Sequence, residues 1–223
     1  MSRKKKLVIV GAGEHGRMMH NFFSMHSDFN IVAFAEEKKY RKTGVLLGLP
    51  VVNFEDLKEL YCPSENLLFI AISYVNLNKE RTRIYFKAKG MGYRFATFVD
   101  PSSVIDRTAT IGENVAIFEN SSVQYGAKIG NNTVIQAGVC IAHSTEIKGN
   151  VWIAPNVAVA GFVKIGENSF LGINSTVINS VSIAENVIIG AGTVVTKSIY
   201  EVGVYAGNPF KCINKDVSGY LMI

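Results

Sequence analysis

The sequence is poor in the features that mark a secreted, membrane-bound or metal-binding chain. Its three cysteines, Cys62, Cys140 and Cys212, are odd in number and far apart. That spacing supports neither a disulfide framework nor a set of metal ligands, so a reducing, cytoplasmic setting and no metal are expected. No apolar run approaches the length of a membrane-spanning helix. Arg3-Lys4-Lys5-Lys6 could open a signal peptide, but the apolar run after it, Leu7 to Val10, stops at glycines and Glu14, too short for the apolar core of one. Charged residues make up only 18% of the 223. Apart from Arg3 to Lys6 and Lys38 to Lys42 the basic ones are scattered, with no aromatic-basic motif, which argues against nucleic acid as partner. The net charge of +5 and pI near 9.0 suit anionic small ligands such as phosphates.

Beyond Ile105 both ordinary periodicities are missing as well. Neither the 3.6-residue spacing of an amphipathic helix nor strict alternation accounts for the apolar residues there. Instead every sixth residue is aliphatic, from Ile105, Ile111 and Ile117 through Ile141, Ile147 and Ile153 to Ile183, Ile189 and Val195, with no insertion. Four residues after each comes a small or β-branched residue, for example Ala109, Val115, Ser121, Thr133 and Thr145. A hexapeptide period marks a parallel β-helix, in which each coil buries what one repeat cannot bury alone. With three hexapeptides to a triangular coil, as in hexapeptide proteins generally, residues 18 apart stack in columns. The expected array is a left-handed β-helix of about five coils.

The first hundred residues follow different rules. Leu7 to Val10 reads as a buried strand, Gly11-Ala12-Gly13-Glu14-His15-Gly16 follows at once, and Arg17 to Ser24 has apolar residues at helical spacing. Strand, glycine turn and helix in that order form the dinucleotide-binding fingerprint, in which backbone N–H groups and the helix N-terminus receive a phosphate. His15 within the turn either contacts that phosphate or caps the turn. Further strands are expected at Ile31 to Ala35, which leads into Glu36-Glu37, and at Leu49 to Val52, Leu67 to Ile72 and Arg94 to Val99, with a helix over Lys79 to Gly90. This is a small, doubly wound, Rossmann-like α/β domain over residues 1–100, short for a whole dinucleotide fold. The β-helix and a C-terminal tail occupy residues 101–223, and Asp100-Pro101-Ser102-Ser103 marks the change of rhythm.

The repeat array holds a single histidine, His143, two residues past an aliphatic position and therefore near a corner. Steps of 18 give its column: Tyr125, His143, Gly161, Asn179 and Lys197. Adjacent coils lie about 4.8 Å apart, which brings His143 one coil from the bare backbone of Gly161. An imidazole beside an amide donor suits acyl transfer: one removes a proton from the nucleophile, the other holds the oxyanion. A solvent-facing corner histidine remains the plain alternative.

The array resembles the hexapeptide-repeat acyltransferases. The whole chain resembles the two-domain bacterial family of sugar-nucleotide 4-amino N-acetyltransferases and sialic acid O-acetyltransferases. The resemblance rests on Val10-Gly11-Ala12-Gly13-Glu14-His15-Gly16, Phe34-Ala35-Glu36-Glu37, Ile141-Ala142-His143, Ala160 to Gly166, Phe170 to Ser175, Ile189-Gly190-Ala191-Gly192 and Gly207-Asn208-Pro209-Phe210-Lys211. It implies that Gly11, Ala12 and Gly13 hold the diphosphate of a nucleotide-linked amino sugar, with Glu36 and Glu37 by the base and Ser73 lining the pocket. His143 would be the general base. Acetyl-CoA would run between neighbouring subunits of a homotrimer, near Trp152, Gly161, Ile173 and Ala191, in a cytoplasmic enzyme of surface-polysaccharide (lipopolysaccharide) synthesis. The chain departs from the family pattern in having Ser144 where an acidic residue often follows the histidine. It also has glutamates in place of the aspartate pair, Trp152 where some members carry a second histidine, and Phe210 for a common alanine. An amine, partly deprotonated near neutrality, needs less help from a base than a hydroxyl does, which favours N- over O-acetylation. An NAD-binding oxidoreductase and a non-catalytic trimeric scaffold that binds a nucleotide sugar are the readings from other classes.

Overall fold

The computed structural model describes residues 5–221; Arg3 and Lys4 of the basic opening lie outside them. The chain forms two compact units, one from the chain up to Ser73 with Glu80–Phe98, the other from Tyr74–Lys79 with Val99 onward.

In the first unit, β1 (Lys6–Val10), α1 (Glu14–His26), β2 (Asn30–Glu36), β3 (Val45–Leu46), β4 (Leu49–Asn53), α2 (Leu57–Leu60), β5 (Asn66–Ile70), α3 (Lys79–Gly90) and β6 (Arg94–Phe95) follow one another. The sheet order is β3-β4-β2-β1-β5-β6, with only the β3–β4 pair antiparallel. Central β1 is apolar from Leu7 to Val10 because both its faces are covered: Leu7, Val8 and Ile9 are fully buried. The chain winds from β1 to one side, then returns to β5 on the other, so the topological switch lies between the C-terminal ends of β1 and β5. Helix α1 starts at Glu14, three residues before the expected start at Arg17, since the glycine turn itself provides its first turn. The strand expected over Arg94 to Val99 is interrupted at Ala96-Thr97: β6 continues this sheet, Ala96 donates to the carbonyl of Leu68, and a separate strand restarts at Phe98–Val99.

The second unit is a left-handed β-helix of two- and three-residue parallel strands, followed by a five-residue antiparallel pair, Gly203–Gly207 with Phe210–Asn214. Its register confirms the 18-residue coil: Ser122 pairs with Cys140 and Cys140 with Ala158, while Lys128 pairs with Glu146 and Glu146 with Lys164. The aliphatic ladder and the residues four positions further on fill the interior together; Ile135, Ile141, Ile153, Val151, Val157 and Val163 are all fully buried. Where the second ladder is hydroxylic, its oxygen mostly meets a backbone carbonyl of the neighbouring coil, Ser175 being the exception whose buried Oγ has no partner among the described residues. Thr145 donates to the carbonyl of Ala160 at 2.8 Å, and Ser121 to that of Gln136 at 3.0 Å.

Every corner from Asn114 to Gly192 turns on a residue at positive φ, and that residue recurs every six positions. Asparagine fills it at 114, 120, 132, 150, 156, 168, 174 and 186, glycine at 126, 138 and 192, serine at 144 and 180, and phenylalanine at Phe162. Asparagine and glycine are the residues this left-handed conformation admits most readily. At one corner the asparagines also form a buried ladder, Asn114 donating to Asn132 at 2.7 Å and Asn132 to Asn150 at 2.8 Å.

The three faces differ in what they present. One points Val134, Trp152, Phe170 and Ile188 outward, yet the face is covered: Tyr74 packs against Trp152 and Phe170 with ring centroids 5.0 Å apart in each pair. Leu77 joins Ile188 and Val204 there, and Asn78 donates its amide to the carbonyl of Asn168 at 3.2 Å. Residues 74–79 thus act as a strap across this face. A second face carries charge, with Lys128, Glu146 and Lys164 in one column and Lys148 paired to Glu146 at 2.7 Å. The third face is bare. Its outward column, Ser122, Cys140, Ala158, Thr176 and Val194, is small and uncharged.

Candidate functional site

Two places combine an open backbone with polar side chains, one in each unit. In the first, the glycine turn follows β1 at the switch point. Gly11 has φ +118, and a Cβ there would lie 2.5 Å from the carbonyl oxygen of Ala71, just past the end of β5. A Cβ on Gly16 would lie 2.0 Å from the carbonyl oxygen of Gly11. Both glycines are therefore required by packing alone. Gly13 is different: a Cβ would meet nothing within 4 Å, and its φ of −79° is open to any residue. It precedes α1 as N-cap without a side-chain cap, so the helix presents its first N–H groups to open space.

Glu36, at the end of β2, is bound to this turn. It accepts a hydrogen bond from the Ala12 N–H, while burial raises its carboxyl above the usual range against the lowering pull of that bond and of Lys42. Glu37 is otherwise engaged: Arg83 grips both its oxygens at 2.9 and 2.6 Å, and this hydrogen-bonded pair holds the Glu37 carboxyl below its usual range. Of the two acids expected by a base, only Glu36 is left beside the glycine turn. Ser73, half-buried, follows β5 on the other side of the switch point. His15 is half-buried and its Nε2 is shielded from solvent. Burial, then the charge of Arg81, pushes its pKa down to about 3.

In the second unit His143 sits at the corner between the bare and charged faces, exposed, on the strand–turn Cys140–Ile141 to Ser144. Its imidazole lies over Gly161 one coil away. A Cβ on Gly161 would come within 2.7 Å of both Cε1 and Nε2. The ring can occupy that place only because residue 161 has no side chain. Phe162, the next residue, meets the same ring in a T-shaped contact, centroids 4.9 Å apart and planes at 86°. Among the described residues the His143 side chain makes no hydrogen bond, and the N–H of Gly161 donates to no protein acceptor. The next residue, Ser144, donates its own N–H to the Tyr125 carbonyl at 2.8 Å and supplies no carboxylate.

The residues expected along an acyl donor divide between faces. Gly161 shares the corner of His143. Ile173 and Ala191 stack at the opposite edge of the bare face, where Gly172 approaches the Ala191 nitrogen so closely that a Cβ would lie 2.6 Å from it. Trp152 lies elsewhere, only 5% exposed on the covered face beneath Tyr74, because its partner column there is aromatic and the strap closes over it. It belongs to packing rather than to this corner. The feature that sequence reasoning passed over is Phe162, and a signal for it existed: it is the one large residue in a six-residue series of asparagine, glycine and serine.

Among the described residues no cluster of His, Cys, Asp or Glu could hold a metal ion, and no helix is long and apolar enough to cross a membrane.

Three family profiles match the chain: "PglD N-terminal domain" over residues 6–88, "Bacterial transferase hexapeptide (six repeats)" over 108–143, and "Hexapeptide repeat of succinyl-transferase" over 162–197. A search of curated proteins found no match. Among solved structures the chain is similar to a histidine-to-asparagine mutant of perosamine N-acetyltransferase from Caulobacter crescentus in complex with CoA and GDP-perosamine. Identity is 27% and the TM-score 0.82, with 93% of this chain and 96% of that one covered. The complex of PerB from the same organism with CoA and GDP-perosamine gives 26% and 0.83 over 93% and 96%. The acetyltransferase domain of PglB from Neisseria gonorrhoeae with acetyl coenzyme A, at 23% identity, shares the fold with TM-score 0.84 over 95% and 100%.

Proposed function

We propose, because this chain belongs to the two-domain bacterial hexapeptide-repeat acyltransferases, that it transfers the acetyl group of acetyl-CoA to the amino group of a nucleotide-linked amino sugar. The acceptor is of the 4-amino-4,6-dideoxy type carried on a nucleoside diphosphate, the class to which the GDP-perosamine held by the similar structures belongs. The observation that carries this reading is the exposed imidazole of His143 resting on the unblocked backbone of Gly161.

The steps follow from those two residues. His143 takes a proton from the sugar's amine as nitrogen attacks the thioester carbonyl, the N–H of Gly161 meets the oxygen on which negative charge develops, and the imidazolium returns the proton to the departing CoA sulfur. The acceptor amine is partly neutral near pH 7, so the base needs no acidic partner to raise its strength. This fits Ser144 in the following position. In the first unit the N–H groups at Gly13 and the start of α1 receive the diphosphate, Glu36 and Ser73 flank it, and Glu37 supports the site through Arg83.

The small side chains of the bare face leave a smooth strip for an extended pantetheine arm. Exposed Tyr125, Phe162, Ile173 and Ile178 border that strip, an apolar collar better placed against another subunit than against water. A symmetric trimer would bring the Ile173 and Ala191 edge of one copy towards the His143 corner of the next. The setting is the cytoplasm, where acetyl-CoA and nucleotide sugars are made, and the three thiols are free as that setting requires. The product would enter surface-polysaccharide synthesis.

The test is incubation with acetyl-CoA and GDP-, UDP- and dTDP-linked 4-amino sugars, reading release of free thiol. Turnover of at least one is expected; turnover of free sialic acids alone would overturn the assignment. Protection against thermal unfolding by NAD but by no nucleoside diphosphate would favour an oxidoreductase instead.

A further inference from the structure

Phe162 stands at φ +59°, where thirteen other turns of the β-helix place only asparagine, glycine or serine. In that conformation Cβ crowds the following carbonyl, and a bulky side chain there is an outlier that persists only when something holds it. Burial within its own chain does not hold it, since Phe162 is 57% exposed there. Nor does the backbone: its N–H donates to the His143 carbonyl at 3.1 Å, the bond that Asn156 makes to Ala137 and Asn174 to Pro155 at equivalent turns. An asparagine would keep that bond and relieve the strain. What phenylalanine alone supplies is its ring, and the ring meets His143 at 4.9 Å.

His143 has need of such a contact. A ring nitrogen aimed at an acceptor must be held at one χ angle, and the usual device is a hydrogen bond from the other nitrogen to a carboxylate or carbonyl. No such bond reaches His143 among the described residues. We propose that Phe162 is the positioning residue of His143, forming a wall that, with the floor of Gly161, confines the imidazole to its working orientation by shape alone. The proposal rests on His143 being the base.

The variant Phe162→Asn removes the wall and restores the residue the turn prefers, so stability and activity should move apart. The melting temperature should hold or rise, and kcat should fall about ten- to a hundredfold, with KM for acetyl-CoA within twofold of wild type. Phe162→Tyr, which keeps the ring, should retain at least half the activity, and Phe162→Ser, a residue this series already uses, should repeat the loss seen with asparagine. In a His143→Ala background Phe162→Asn should cost nothing further. Wild-type kcat in Phe162→Asn overturns the proposal. An equal loss in both backgrounds also overturns it, because Phe162 then touches substrate on its own account. Full activity of His143→Ala alone removes the base and the proposal together, and that arm is read separately from the Phe162 variants.

Discussion

Replacing Gly161 by alanine tests the placement of the general base more directly than removing the base does. The added Cβ would lie 2.7 Å from Cε1 and Nε2 of His143 and 3.2 Å from Nδ1. Carbon atoms prefer roughly 3.5–4.0 Å, so the ring must move by about 1 Å. The atoms it meets belong to an exposed side chain, free to swing outward, so no core strain follows. Gly161 is not among the residues at positive φ, and alanine adopts its backbone freely. The lost freedom of the unfolded chain then favours the variant by about 0.4–1 kcal/mol, a shift of no more than a few degrees in melting temperature. Displacement of a catalytic group by about 1 Å costs on the order of a hundredfold in rate. The N–H of residue 161 remains, so an oxyanion donor is retained and the loss reports on His143. The assay pairs a thermal melt with thiol release at saturating acetyl-CoA and 4-amino sugar nucleotide. A Gly161→Ala protein that melts normally and turns over within threefold of wild type would refute the reasoning that places His143 as base on this floor.

His143→Ala should lower kcat by roughly 10²-fold, the lower end for loss of a general base because the amine is partly neutral, with acetyl-CoA affinity and denaturant midpoint nearly unchanged. Ile153→Ala removes a fully buried rung of the ladder and should cost about 2–5 kcal/mol in urea unfolding; a smaller loss would mean that the coil collapses around the gap. Glu36→Ala should weaken nucleoside-diphosphate binding in calorimetry, whereas Glu37→Ala should chiefly lower the melting temperature, since Arg83 loses its two-bond partner and keeps only Glu80. The opposite pattern would exchange the two roles. His15, held neutral down to about pH 3 by burial, makes stability fall with acid: its unfolded form takes up a proton near pH 6.5 and the folded form does not, so the contribution present above that pH is lost between pH 6.5 and 3. His15→Asn should flatten that slope in melts across the range.

A repeating fold is read from sequence easily because each coil repeats the geometry of the last. Given the six-residue period, the 18-residue column follows by arithmetic, and the register Cys140 to Ala158 and the seat of His143 over Gly161 are that arithmetic in three dimensions. The strand, glycine turn and helix at Leu7 to Ser24 are legible for a similar reason: each is a local preference of the residues that form it. The corner series of asparagine and glycine is equally local, and its single large exception, Phe162, is visible in the six-residue spacing of the chain itself.

Contacts between residues remote in sequence are decided only by the fold. Glu36 and Glu37 are adjacent and chemically alike, yet the first ends β2 and turns to the Ala12 N–H, while the second lies just past the strand and meets Arg83. His15 belongs to the fingerprint by position, yet its Nε2 is shielded from solvent and burial and the charge of Arg81 hold the ring neutral. Residues 74–79 look like a loop of the first hundred residues but pack on Trp152 and Phe170, removing that tryptophan from the acyl-donor set. The period by itself determined the β-helix, the column that holds His143 and the charged and small columns of two faces; which face is covered was set by Tyr74, Leu77 and Asn78 arriving from elsewhere in the chain, and no period records those.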